Sequence, residues 1–363
     1  GRGLTAENTY ADRNTTSTSF SLGTSIPLFT GFQIPNTIQL NRLNLQAATQ
    51  DLEKAKNDIR MQVAQAYVEI LYDMEICDVA GRQISIDSMQ VARLEAFVQN
   101  GKASEAELSQ QRAALAQSKL TATQADNNRR LALLSLSQLL ELPSPEGFAI
   151  VRPAVHDASV LLSSPHAVYA EALSTKPEIQ AEQLRLQGAE KNIKIAQSAL
   201  YPQLSLNAGL QTNYYKTNGI QVESFGTQLK NNFAQYIGLN LNIPIFNRLS
   251  TRNNIRAAKI EQETQQLQLD NTKKQLYKEI QQVYYNAVAA QAKCESSAAA
   301  AKSSEDAFRL TKAKYENGKA GITEFNEAKN NYLKAESDLV QARYEQLYQT
   351  ALLDFYRGRE LSF

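Results

Sequence analysis

The chain has 363 residues, room for two ordinary domains. Its 38 Lys and Arg balance 37 Asp and Glu, which excludes nucleic acid as the main partner. No run of ~18 apolar residues occurs, so no transmembrane helix is expected, and no leader peptide is recognisable.

Residues 16–26 alternate, with Phe20, Leu22, Thr24 and Ile26 opposite Ser19, Ser21, Gly23 and Ser25, which predicts a strand near 16–29. After Ile26-Pro27-Leu28-Phe29 comes a proline-free stretch rich in Ala, Gln, Lys and Glu, which predicts a helix from about Asn36, a plausible cap, to Val98. Sixty-odd residues at ~1.5 Å each give ~95 Å, longer than a compact domain is wide. Its apolar seam repeats every seven residues: Leu45, Leu52, Ile59 and Ala66, then Val63, Ile70, Cys77, Ile84, Val91 and Val98. Such a seam implies helices wound around each other. Asn100-Gly101-Lys102-Ala103 marks a helix stop, and a returning helix is expected over 104–140.

A proline-rich connector covers 143–165. A helix over 177–199 then leads into a strand near 203–215, with Leu204, Leu206, Ala208 and Leu210 on one face. The loop 216–232 joins it to a strand near 233–246, in which Phe233, Ile237, Leu239, Leu241 and Ile243 oppose Gly238, Asn240 and Asn242. Tyr214, Tyr215, Phe225, Phe233 and Tyr236 gather at the loop end. Strands of this kind fit a membrane β-barrel with an aromatic girdle, or a soluble sandwich with one wet face. A second long helix, with Asn253 as a plausible cap and a seam through Ile280, Ala287, Cys294, Ala301, Phe308 and Tyr315, ends at Asn317-Gly318-Lys319-Ala320, and a last helix covers 322–356.

The two halves are one unit written twice. Ile26-Pro27-Leu28-Phe29 and Ile243-Pro244-Ile245-Phe246 lie 217 positions apart, as do Tyr67 and Tyr284, Cys77 and Cys294, Asn100-Gly101-Lys102 and Asn317-Gly318-Lys319, and Glu107 and Glu324. Identity between the copies is modest, so the ungapped anchors carry the argument. The expected organisation is a first repeat over 1–142, a connector over 143–165 and a second repeat over 166–363, with turns near 98–107 and 315–327. The first copy lacks the helix and first strand of the second, and these are expected ahead of residue 1. The cysteines read as small residues in a helix seam. His156 and His166 have no metal-ligand spacing around them, so neither a metal nor another cofactor is expected. No phosphate loop and no spaced Ser/His/Asp set occurs, so an enzyme is not expected.

Strand hairpin, long helix, glycine turn and returning helix, all duplicated, resemble the TolC-like outer-membrane efflux family. The most specific elements are the two Ile-Pro-x-Phe segments, Ala199-Leu200-Tyr201-Pro202-Gln203-Leu204, and Tyr315-Glu316-Asn317-Gly318-Lys319 followed by Glu324-Phe325-Asn326-Glu327-Ala328. The resemblance implies a mostly α homotrimer. Each protomer would give four strands to a twelve-stranded β-barrel in outer-membrane lipid, and its helices to a continuous periplasmic α-barrel. It implies a passive exit duct of a Gram-negative outer membrane that works with a periplasmic adaptor and an inner-membrane transporter. It assigns adaptor docking to Asn100, Gly101, Lys102, Asn317, Gly318 and Lys319, an aperture ring to Glu324 and Glu327, and a latch to Tyr315 and Glu107. The family's aspartates at the ring are glutamates here, and its latch arginine is Ala320. From the residues alone, Glu324 and Glu327 share a helix face in a first turn and read as capping or solvated carboxylates. A coiled-coil adaptor and a soluble helical scaffold are the competing classes, disfavoured by the tandem duplication and by the strands.

Overall fold

The computed structural model describes residues 14–144, 146–153 and 162–361, and the backbone of 2–4 and 10–12; His156 lies outside these. In chain order the elements are β1 (Arg2–Leu4), β2 (Tyr10–Asp12), β3 (Thr15–Thr30), α1 (Gln33–Gln99), α2 (Glu105–Leu139), α3 (Pro165–Thr175), α4 (Pro177–Ser198), β4 (Gln203–Thr217), α5 (Phe225–Asn231), β5 (Ala234–Asn242), α6 (Ser250–Glu316) and α7 (Ile322–Tyr356). Both long helices have 67 residues and both returning helices 35, so the duplication extends to element length.

The expected caps Asn36 and Asn253 lie inside their helices. Asn36 donates its side-chain amide to the Phe32 carbonyl at 2.8 Å, and the Asn253 N–H bonds the Leu249 carbonyl. The helix α1 absorbs Pro35 because a first-turn N–H has no intrahelical partner to lose. The residues just before the helices carry the turn instead. Gly31 and Phe32 in one copy, and Arg248 and Leu249 in the other, all have positive φ.

The chain forms two compact units, Gly1–Ala47 with Gln183–Gln268 and Ala48–Glu182 with Leu269–Phe363. They are not the two sequence repeats; each takes part of both. In the first unit β3, β4 and β5 form an antiparallel sheet in that order. The pairing stacks like on like. Leu22 faces Leu210, Ile26 faces Leu206, and Leu206 faces Leu239 in turn. On the other side Ser25, Asn207 and Gly238 form one row, and Gly23, Gly209 and Tyr236 another. A bulge after Pro27 returns Phe29 to the apolar side opposite Leu204. Gly31 then closes tightly on the α4–β4 junction, where a Cβ would stand 2.4 Å from the Ser198 carbonyl oxygen. Phe29, Phe32 and Tyr201 pack edge to face beside it.

The second unit is helical. On α6 the seam holds as expected at Ile280, Ala287, Ala301 and Phe308, and Leu269, Leu276, Val283 and Ala290 bury a second seven-residue row. Cys77 and Cys294 form no disulfide, and each is only partly buried. Two residues of the connector meet α1: Tyr67 donates to the Val151 carbonyl at 2.8 Å, and Arg152 pairs with Asp78 at 2.8 Å. At the chain's end the buried Lys176 ammonium donates to the Phe355 carbonyl at 3.2 Å and lies over the Phe355 and Tyr356 rings. Arg357 clasps Glu171 on α3.

One core position is out of character. Asp73 is buried, whereas its counterpart 217 residues on is the buried Ala290. Burial, and then the neighbouring Glu69 carboxylate, push the Asp73 carboxyl up to about 6. The native state then holds a proton that the unfolded chain has released, so this group makes stability fall as pH rises from about 4 to 6, and the cost persists above that. Asp73→Asn is therefore expected to stabilise the protein at pH 7.5, on the order of 1–3 kcal/mol, with little effect near pH 4. Denaturant unfolding of both forms at the two pH values checks this; a variant equally stable or weaker at pH 7.5 contradicts it.

Candidate functional site

The ends of α1, α2, α6 and α7 meet around one apolar nucleus. Phe325 is fully buried there among Val91, Leu94, Leu108, Phe308 and Ile322. Tyr315 stacks on Phe325 with ring centres 4.9 Å apart, and Phe308 packs against both Phe325 and Tyr332. This cluster holds the two glycine turns.

The turns are built alike. Gly101 has φ +68° and Gly318 φ +69°. In the first, the Gly101 N–H bonds the Val98 carbonyl and the Lys102 N–H bonds that of Phe97; in the second, Gly318 bonds Tyr315 and Lys319 bonds Lys314. Asn100 and Asn317 each donate a side-chain amide to the carbonyl four residues back, at 2.7 Å. This double closure of a helix end needs a left-handed residue, hence glycine. Nothing stands within 4 Å of where a Cβ would be at either glycine, so both turns present bare backbone beside Lys102 and Lys319.

The helices that follow begin differently. Ser104 caps α2 in a reciprocal box: its hydroxyl accepts from the Glu107 N–H at 3.2 Å, and the Glu107 carboxylate accepts from the Ser104 N–H at 3.0 Å. At the equivalent place α7 has Gly321, with no side-chain cap. Glu107 is thus committed to a helix start, while its counterpart Glu324 is exposed, as is Glu327 one turn on. The two glutamates expected to act together stand on one exposed face of α7; the acid expected in a latch is a cap.

Arg93 was not singled out from sequence. It donates to the Glu316 carbonyl at 3.1 Å, at the C-terminal end of α6, and its guanidinium lies over the Phe97 and Tyr315 rings. It ties the end of α1 to the end of α6. Its one local signal is Phe97, four residues on; its other partners lie over 220 residues away. Burial raises the Tyr315 hydroxyl above its ordinary range, the Arg93 cation opposing this and Glu107 adding to it.

The girdle residues divide. Tyr214 packs against Phe225 with ring centres 5.0 Å apart, and Phe225, Phe233 and Tyr215 are exposed. Tyr214 stands on the apolar side of the sheet, while Tyr215 is on the other. So is Tyr236, whose ring lies against Gly209, where a Cβ would be 2.8 Å away, and reaches towards Gly23. It covers a glycine row instead of standing with Phe233. His166 sits beside Tyr277, and no group of three or more metal-ligating side chains occurs among the described residues.

The sequence profile of the family described as Outer membrane efflux protein matches residues 2–141 and 168–359. Toxin and drug export protein A of Aggregatibacter actinomycetemcomitans is 21% identical over 91% of this chain and 70% of its own length. Protein CyaE of Bordetella pertussis is 26% identical over 85% of this chain and 64% of its own. The toluene efflux pump outer membrane protein TtgC of Pseudomonas putida is 24% identical over 71% and 51%. The chain spans about half the length of several such relatives. The outer membrane protein VceC of Vibrio cholerae superimposes with a TM-score of 0.75 at 19% identity, covering 97% of this chain and 87% of that one. The open-state MtrE outer membrane channel of Neisseria gonorrhoeae superimposes with 0.75 at 18%, covering 97% and 80%. These likenesses establish a shared, mostly helical fold with few antiparallel strands.

Arg93→Ala should destabilise the protein by about 1–2 kcal/mol through loss of one hydrogen bond and the ring contacts. Tyr315→Phe should cost under about 0.5 kcal/mol, because the ring carries the contacts described. Thermal unfolding of both variants decides: a Tyr315→Phe cost equal to that of Arg93→Ala would place the tie in the hydroxyl instead.

Proposed function

Because this chain belongs to the outer membrane efflux protein family, we infer that it is a passive exit duct of a Gram-negative outer membrane, with a large periplasmic part, in a tripartite efflux or type I secretion system. One observation supports this most. The sheet β3–β4–β5 leaves Leu22, Ile26, Ile237, Leu239 and Leu241 each at least half exposed on one side, with small polar residues opposite. Lipid outside and water inside suit that pattern. A soluble scaffold or an adaptor hairpin would have to cover those rows.

Three copies form the duct, each lending strands to a twelve-stranded barrel and helices to a periplasmic tunnel. An adaptor carrying the inner-membrane transporter docks on the bare turns at Asn100, Gly101, Lys102, Asn317, Gly318 and Lys319. Glu324 and Glu327 of each copy ring the aperture. Their exposure and the missing cap at Gly321 support this, since neither carboxylate is spent on its own helix start. Tyr214, Phe225 and Phe233 meet the lipid headgroups.

A ring of like charges at a constriction concentrates cations. Glu324→Gln combined with Glu327→Gln should bring cation-over-anion selectivity towards unity and abolish block by multivalent cations, with the assembly intact. Planar-bilayer recording tests this; unchanged selectivity and block would reject the aperture.

A further inference from the structure

Twelve residues before the end of α1 lies a buried charge that none of this uses. The Asp87 carboxylate is fully buried, and so are Gln111, Ser118 and the Lys329 ammonium, none more than 2% exposed. Lys329 on α7 pairs with Asp87 Oδ1, Gln111 on α2 donates to the same oxygen at 3.0 Å, and the Ser118 hydroxyl on α2 donates to Oδ2. Asn326, one turn from Lys329, donates to Gln111 Oε1 at 3.3 Å. One carboxylate on α1 thus collects donors from both other helices.

We propose that Asp87 and Lys329 form a register lock: a buried ion pair that selects a single axial alignment of α7 against α1 and α2. The need arises from the sequence itself. Helices with seven-residue seams and a duplicated pattern have several near-equivalent alignments. The pair makes the alternatives costly. Sliding α7 by seven residues puts Glu336 or Ile322 at the place of Lys329, so Asp87 faces either a like charge or no charge in a dry interior. Exchange of the copies fails too. The counterpart of Asp87 is Ser304, and that of Lys329 is Arg112, which pairs with Glu95 at 2.8 Å on the surface. The lock exists once in a chain that is otherwise written twice.

Stability alone does not account for it. Beside it the Gln90 Oε1 and Asn326 Oδ1 atoms are buried without a hydrogen bond, and a partly satisfied polar network is inferior to an apolar core. Specifying one alignment is the best-attested use of such a group. The lock acts whether or not Glu324 and Glu327 line an aperture.

The test uses Arg82→Cys with Glu336→Cys, two positions whose native side chains pair at 2.5 Å across α1 and α7, in a background with Cys77→Ser and Cys294→Ser. A short bis-maleimide reports alignment, with Arg343→Cys in place of Glu336→Cys detecting the seven-residue slip that brings Glu336 to the place of Lys329. The proposal expects the native-register pair to dominate. Asp87→Leu or Lys329→Met alone should lower the melting temperature by several degrees, the two together should regain most of it, and in that double variant cross-linking should spread to position 343. If the apolar pair does not fold, Asp87→Asn with Lys329→Gln, which keeps the shapes and removes both charges, is read in the same way. Native-register cross-linking alone in the uncharged variant, or single variants as stable as the parent, would overturn the lock.

Discussion

The long helix α1 presents one seven-residue seam that changes partner along its length, and much of the structure depends on that. Towards the tips the seam is satisfied within the chain, where Ile70 and Val91 are buried. Nearer the strands it is bare: Ile38, Leu45, Leu52 and Ile59 form one row, 48%, 68%, 55% and 47% exposed. Each such side chain gains about 1.5–3 kcal/mol when buried, so the row calls for another surface. The second long helix repeats this, with Ile260 and Leu267 exposed at the same spacing. The sheet makes the same demand, since β3 and β5 are edge strands with open backbone. The proposed ring of copies, with lipid around the sheet, would answer all of these at once.

Duplication gives two similar hairpins, and a few substitutions make them unequal. Ser104 against Gly321 commits Glu107 to a helix start and frees Glu324. Gly31 against Arg248 allows close contact with the α4–β4 junction in the first copy. Asp73 against Ala290, and Asp87 against Ser304, put a buried carboxylate in the first copy where the second has an uncharged residue. The shared pattern therefore sets the architecture, and the departures from it mark where the copies differ in local structure.

What could be read beforehand follows from the range of each interaction. Alternation, the seven-residue rows and the Asn-Gly turns are local signals, and they located every long element; the last helix was placed at its observed ends, 322–356. The sequence reading starts α1 at Asn36 as a cap, whereas the helix begins at Gln33, because its first turn tolerates Pro35. The resemblance makes Glu107 part of a latch; the capping box that Ser104 spells three residues earlier is a local signal the sequence reading leaves out. Tyr236 was grouped with Phe233 by proximity, although its place in the alternation puts it with Gly238. Arg93 with Glu316 and Asp87 with Lys329 were beyond reach, because no local pattern marks pairs more than 200 residues apart.

The central claim is that this chain completes its seams and its sheet only with other copies of itself. Native mass spectrometry of the protein extracted from outer membranes in mild detergent measures this directly. The account predicts a trimer as the dominant species, persisting as detergent micelles are stripped away. A monomer or a dimer would contradict it.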